Sequence, residues 1–169
     1  NKDGEDFLLY TMDDPTNPNS PWSSTNFEDD RNQIKSAFTA DMDGDGYPDV
    51  IVGEDNHDLG ILFNTYNPSD SSPTTDFTSL VDILVGSNCA NINRLTAVDM
   101  NGDGCPDILT VCKDTDRVKL FKNPCGSAAR TGSSWSYQDL WIGSTSYNKP
   151  VVVRTADFNN DGKLDIVIG

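Results

Sequence analysis

The run Asp41-Met-Asp-Gly-Asp-Gly-Tyr-Pro-Asp49 returns twice, as Asp99-Met-Asn-Gly-Asp-Gly-Cys-Pro-Asp107 and as Asp157-Phe-Asn-Asn-Asp-Gly-Lys-Leu-Asp165. Successive first aspartates are 58 residues apart. Spacing within a copy describes a loop, and spacing between copies describes a repeated structural unit. Periods of about 20–50 residues or slightly more belong to solenoids, propellers and arrays. Each period here holds four strand candidates and no convincing helical stretch. They fall near residues 35–40, 49–53, 60–64 and 77–84, and again near 93–98, 107–112, 117–122 and 135–142. Four short antiparallel strands per repeat describe a propeller blade.

Within each loop, positions 1, 3 and 5 are Asp or Asn, position 6 is Gly and position 9 is Asp. Alternate oxygen-bearing side chains on a tightly curved backbone converge on one point, and glycine supplies the positive φ that such a turn needs. A hard cation seeking six to eight oxygens at about 2.3–2.6 Å suits that cage, and calcium tolerates its irregularity better than magnesium does. The expected ligands at the first site are Asp41, Asp43, Asp45 and Asp49 with the backbone carbonyl of Tyr47. The second site would use Asp99, Asn101, Asp103 and Asp107 with the carbonyl of Cys105, and the third Asp157, Asn159, Asp161 and Asp165 with the carbonyl of Lys163. Asp-Gly and Asn-Gly clusters are also ordinary turn chemistry. A turn alone, however, does not require Asp at position 9, and three copies in register argue for an ion.

The flanks exclude an EF-hand, whose loop ends in a bidentate Glu at position 12 between two helices. Position 12 here is Val52, Thr110 or Ile168. Each loop is followed by a β-branched run (Val50-Ile-Val, Ile108-Leu-Thr-Val, Ile166-Val-Ile) that reads as a buried strand. Each is preceded by Ala37-Phe-Thr-Ala, Leu95-Thr-Ala-Val or Val153-Arg-Thr-Ala. The loop therefore joins two adjacent antiparallel strands. The small residues Thr39-Ala40, Ala97-Val98 and Thr155-Ala156 suit innermost strands crowded around an axis.

The pattern of strand, Asp-x-Asp/Asn-x-Asp-Gly-x-x-Asp loop and Val-Ile-Val-Gly strand resembles the FG-GAP or VCBS repeats of integrin α-subunit propellers, of some fungal lectins and of many secreted bacterial proteins. Gly53-Glu-Asp stands where that family carries Gly-Ala-Pro. The resemblance implies an all-β fold of propeller-type blades, about three blade equivalents, cut within a blade at both ends. Residues 1–33 would supply strands three and four of one blade. Residues 34–91 form a complete blade with loop 41–49, 92–149 a second with loop 99–107, and 150–169 a first half with loop 157–165. Phe7-Leu-Leu-Tyr matches the third strands Ile61-Leu62-Phe63 and Lys119-Leu120-Phe121, nine residues separating Gly53 from Leu62 and Val111 from Leu120. Joining Gly169 to Asn1 and counting to Leu9 gives nine again. A longer tandem chain, separate copies completing each other's blades, and closure of one chain on itself all remain open. The first two are favoured, because three blades fall below the roughly four to eight of known propellers.

Twelve basic and 27 acidic residues give a net charge of −15, and ten of the carboxylates lie in the three loops. Three Ca²⁺ would bring the total to about −9, and the acidity argues against nucleic-acid binding. No apolar run approaches the roughly 18 residues of a membrane span. All four cysteines fall around the second blade, and a hairpin of 107–112 with 117–122 sets Cys105 opposite Cys125 and Cys89 at the same edge as Cys112. The expected disulfides are Cys105–Cys125 and Cys89–Cys112. Together with millimolar calcium they point to a secreted or cell-surface location. Segments 15–25, 65–76 and 123–134 are rich in Pro, Ser, Thr, Asn and Gly and read as loops between strands three and four.

Catalysis finds little support. His57 is the single histidine and sits in a loop segment, and no nucleophile elbow, phosphate loop or zinc spacing is present. The paired carboxylates are better explained as metal ligands than as a general acid and base. The sequence points to an extracellular structural or adhesive module that associates with other copies of itself, in tandem or head to tail. A lectin-like propeller is the alternative, with Trp22, Trp135 and Trp141 available to stack on sugar rings, although Trp135 in register with Phe77 favours packing. An accessory domain of a secreted polysaccharide-degrading enzyme is a further option, as is a protein ligand.

Overall fold

The computed structural model describes residues 7–12, 16–17, 19–27, 34–55, 59–69, 77–83, 89–142 and 149–169. Among them are strands β1 (Phe7–Met12), β2 (Trp22–Phe27), β3 (Ile34–Ala40), β4 (Asp49–Glu54), β5 (Leu59–Leu62), β6 (Val81–Asp82), β7 (Ile92–Val98), β8 (Asp107–Cys112), β9 (Arg117–Lys122), β10 (Ser136–Ile142), β11 (Val153–Ala156) and β12 (Asp165–Ile168). The helical content of these residues is three short 3-10 turns, Lys113–Thr115, Gly126–Arg130 and Gly132–Ser134. No helix among them is long and apolar enough to cross a membrane.

The chain divides into two compact units, Asn1–Ile34 and Lys35–Gly169. In the first, β1 and β2 form an antiparallel hairpin running from Phe7 opposite Phe27 to Met12 opposite Trp22. In the second, two four-stranded sheets of order β3-β4-β5-β6 and β7-β8-β9-β10 are followed by the two-stranded sheet β11-β12. Every pairing with a resolved register is antiparallel. The architecture is all-β, with sheets of the size and connectivity expected of blades.

Two apolar layers hold the larger unit together. One brings Ile51, Leu59, Ile61 and Phe63 of the first sheet against Ile92, Leu95, Ile108 and Phe121 of the second. The other joins Leu109, Val111, Val118 and Leu120 to Val153, Ile166 and Ile168 of the third. Strand β8 lies between both layers, so all six of its residues are buried, with Ile108 facing one layer and Leu109 and Val111 the other. A strand covered on both faces does not alternate with exposed polar residues, and the one polar residue of Ile108-Leu-Thr-Val, Thr110, is itself buried with its hydroxyl beside Cys89 and Cys112. Each fully buried Leu, Ile or Val contributes about 1.5–3 kcal/mol relative to exposure.

Three sequence expectations need correction. The third strands are offset by one residue from a strict 58-residue register. Ile51 pairs with Ile61 while Leu109 pairs with Leu120, so Leu120 corresponds to Ile61 and not to Leu62. The turn between β8 and β9 holds one residue more, accommodated by the Lys113–Thr115 turn and a left-handed Asp116 at φ 52°. The strand expected over 77–84 is reduced to Val81–Asp82 and a single bridge from Phe77 to Asn64. Strand β2 begins at Trp22, inside the segment read as the loop 15–25.

Both expected disulfides are formed. Cys89, three residues before β7, bonds Cys112 at the end of β8 with Cα atoms 4.8 Å apart, and Cys105 bonds Cys125 at 5.7 Å. The second bond joins the β7–β8 loop to the start of the long β9–β10 connection. That connection, residues 123–135, crosses onto the first sheet. Ala129 and Trp135 are buried in the layer between the first two sheets, and the Trp135 indole N–H donates to the Ala129 carbonyl at 2.9 Å. At Gly132 a Cβ atom would stand 1.7 Å from the Asp82 carbonyl oxygen, so the strap touches β6 where only glycine fits.

Candidate metal centres

Each acidic loop folds around its first aspartate. Asp41 accepts from the amides of Gly44 (2.8 Å) and Asp45 (3.1 Å) on one oxygen and of Gly46 (2.8 Å) on the other. Asp99 repeats this with Gly102, Asp103 and Gly104, at 2.7, 3.2 and 2.8 Å. Asp157 takes Asp161 at 3.1 Å and Gly162 at 2.8 Å. Such a wrap requires left-handed backbone at position 6, where Gly46, Gly104 and Gly162 have φ of 92°, 88° and 83°. Position 4 is left-handed as well, and its residues (Gly44, Gly102 and Asn160) are types that tolerate it. The sequence reading overlooked position 4, although the Gly, Gly, Asn series signals it.

Positions 3 and 5 make consecutive side-chain turns. In the first loop Asp45 N–H donates to Asp43 Oδ1 at 3.2 Å, and Tyr47 N–H to Asp45 Oδ1 at 2.9 Å. Asn101 and Asp103 do the same for Asp103 and Cys105, as do Asn159 and Asp161 for Asp161 and Lys163. One oxygen of each position-5 carboxylate is thus committed to the backbone, leaving Oδ2 turned to other partners.

Position 9 closes the cup from the next strand. Asp49 is fully buried and accepts from the amides of Met42 and Asn64, both at 2.8 Å. Asp107 accepts from Met100 (3.3 Å) and Asn123 (2.9 Å), and Asp165 from Phe158 (3.0 Å). Asn64 and Asn123 each stand just past the third strand of a sheet and also donate to the prolyl carbonyls of Pro48 and Pro106. Fixed 58-residue counting missed them because they are 59 apart, carrying the same one-residue offset as the third strands.

Electrostatics separate these positions. Burial pushes the Asp49 carboxyl up to about 6, against the lowering effect of its amide donors, and the charges of Asp43 and Asp45 add to the rise. Burial raises Asp107 in the same way. Asp99 moves down, held chiefly by the Gly104 amide. A cation beside positions 1 and 9 would offset the cost of ionising the buried acid.

In the first loop, oxygens of Asp41, Asp43 and Asp49 lie within 4.8 Å of one another. Ligands of one calcium ion are separated by at most about twice the 2.3–2.6 Å bond length, so this all-oxygen set fits a hard cation. The second group of comparable closeness among the described residues is Asp103 with the sulfurs of Cys105 and Cys125, which are already joined in a disulfide and cannot act as thiolate ligands.

One partner of the first loop comes from far along the chain. Arg130 of the strap places its guanidinium on Asp43 and Asp45, with Nε 2.5 Å from Asp43 Oδ2, a second ion-pair contact to the same oxygen, and Nη2 3.3 Å from Asp45 Oδ2. The guanidinium also lies 5.1 Å from the centre of the Phe63 ring. Asn123 of the same segment donates to the Met42 carbonyl at 2.8 Å. In the other loops the acid at position 5 is satisfied locally: Asn101 and Asn159 donate their side-chain amides to Asp103 and Asp161, at 2.8 and 3.2 Å.

The tryptophans divide. Trp135 belongs to the core and Trp141 packs against the second apolar layer, whereas Trp22 is 57% exposed. His57 lies outside the described residues.

Antiparallel sheets whose first two strands are joined by an acidic turn loop define a class of repeat module. The family model of the FG-GAP-like repeat matches residues 41–110 and again 99–168, each match running from one acidic loop through the next. The chain belongs to the FG-GAP-like repeat family. Neither the curated proteins nor the solved structures contain a match to it.

Proposed function

We propose that this chain is a calcium-binding, β-propeller-type module of an extracellular structural or adhesive protein, with no catalytic role. The observation that carries this is the threefold return of one hydrogen-bonded cup, in which backbone amides fix the acids at positions 1, 5 and 9 with an all-oxygen donor set. The residues that would hold the ions are Asp41, Asp43, Asp45 and Asp49; Asp99, Asn101, Asp103 and Asp107; and Asp157, Asn159, Asp161 and Asp165. The carbonyls of Tyr47, Cys105 and Lys163 would complete the sets. Calcium would supply charge neutralisation and rigidity at the edge of each sheet.

Two disulfides and family membership support an oxidising, calcium-rich location. Association with further copies is supported by the outer face of β11–β12. Val167 is 48% exposed there, whereas Leu109 and Ile51, one and two periods earlier, are completely buried beneath a following sheet. A second reading, glycan binding, is favoured by Tyr10 and Trp22, which share one face of the β1–β2 hairpin and are both more than half exposed.

Calcium titration by calorimetry, with thermal unfolding in calcium and in chelator, tests the main reading. Three sites are expected, each adding about 2.7 kcal/mol of stability at a hundredfold excess over its Kd. A flat thermogram with unchanged unfolding would remove calcium from the account. Light scattering and a glycan array address association and sugar binding in turn.

A further inference from the structure

We infer that Arg130 is a resident cation of the first acidic loop, which calcium must displace to bind there, so that ion binding at this loop loosens the strap over residues 126–134. This rests on the calcium reading above. The oxygens concerned are defined by their partners. Asp43 Oδ1 and Asp45 Oδ1 are taken by backbone amides, and the remaining Oδ2 atoms are the ones the guanidinium holds. A divalent ion and Arg130 therefore compete for the same two atoms.

The other loops show why an outside cation is used here. The second contains three aspartates and Asn101, and the third three aspartates and Asn159. The first has a fourth aspartate, Asp43, at the Asn position. Asp43 cannot donate to Asp45 as Asn101 donates to Asp103, and it brings an additional negative charge into the cup. Arg130 cancels that charge and bridges both carboxylates, giving the first loop the net −3 of the second. Its geometry favours retention, since Asp43 is 4% exposed and the guanidinium stacks against Phe63. The strap carrying it is anchored at one end by Cys105–Cys125 and at the other by Trp135 in the core. Calcium at the first loop thus acts on the contact between two sheets, whereas the ions of the second and third loops act within their own.

Amide NMR of the full chain during a CaCl2 titration separates the loops through Gly46, Gly104 and Gly162. In the wild type, Gly46 should respond at a higher calcium concentration than Gly104 and Gly162. Arg130→Gln should bring Gly46 about five- to tenfold lower in calcium, on the order of one displaced ion pair, and leave the other two unchanged. A Gly46 midpoint that is unmoved or rises in the variant overturns the inference. No response from any of the three glycines would overturn the calcium reading and this inference together. If Arg130→Gln does not fold, hydrogen exchange of the wild type decides. Calcium should speed exchange of the Thr131 and Ser134 amides, which bond within the strap, several-fold without affecting β8. Unchanged or greater protection of those amides overturns the inference.

Discussion

The first acidic loop and the second differ among their Asp and Asn positions at position 3 alone, Asp43 against Asn101, and the difference changes how each is held. In the second loop Asn101 sits two residues from the aspartate to which it donates, so that acid finds its side-chain partner within the loop. In the first, Asp43 occupies that place and the compensating charge arrives from Arg130, 87 residues away. Similar backbone geometry thus coexists with local satisfaction in one loop and a tertiary contact in the other. A local donor makes a loop independent of its neighbours. A distant one makes it report on whether two sheets are correctly packed.

The largest way to break this comparison is to cut the strap loose. Replacing both Cys105 and Cys125 by Ser should cost about 2–4 kcal/mol in chemical denaturation, as should replacing Cys89 and Cys112, since the bonded residues are 20 and 23 apart. The two variants should differ at the first loop. Only loss of Cys105–Cys125 should shift the Gly46 amide, because only that bond anchors the segment carrying Arg130. Equal disturbance of Gly46 by both would mean that the strap is positioned by its packing alone.

A smaller effect separates the buried and half-buried versions of position 9. Asp49→Ala leaves the Met42 and Asn64 amides without acceptors inside the structure. An unsatisfied buried donor costs about 1–3 kcal/mol. Removing the carboxylate also relieves its costly burial, visible in its raised pKa of about 6, so a net loss of about 2 kcal/mol is expected in chelator. Asp165→Ala withdraws one bond from a half-buried site and should cost less than about 1 kcal/mol. Urea unfolding of both variants in chelator measures the contrast, and similar losses would show that burial does not distinguish the loops.

Much of the second unit could be read from the sequence because its determinants are local. The β-branched runs after each loop, the glycines at position 6 and the acids at alternate positions act over a few residues. The strands they specify form at nearly the expected places, and the hairpin that follows sets the cysteines opposite each other. Two kinds of feature escaped. The one-residue offset of the third strands arises in a turn whose extra residue is absorbed by left-handed Asp116, and it displaced Asn123 from its match with Asn64. Arg130 lay in a segment that composition describes only as a loop. Nothing within the sequence neighbourhood of Asp43 indicates that a guanidinium will meet it, because that meeting depends on how two sheets stack.

The finest test converts one loop into the other. Asp43→Asn should supply the side-chain donor that Asn101 and Asn159 provide, so the variant alone should change stability by less than about 0.5 kcal/mol in chelator. Arg130→Gln in the wild-type background removes the bridge to Asp43 and Asp45. The guanidinium is about one-third exposed, so solvent screening keeps the loss near 1 kcal/mol. In the Asp43→Asn background the same change should cost little, since the remaining acid has its own amide donor. The cycle should therefore show a coupling of about 0.5–1 kcal/mol, decreasing in high salt. An Arg130→Gln cost that is identical in both backgrounds would assign Arg130 to packing over Phe63. The distinction between a locally satisfied loop and a tertiary one would then no longer rest on charge.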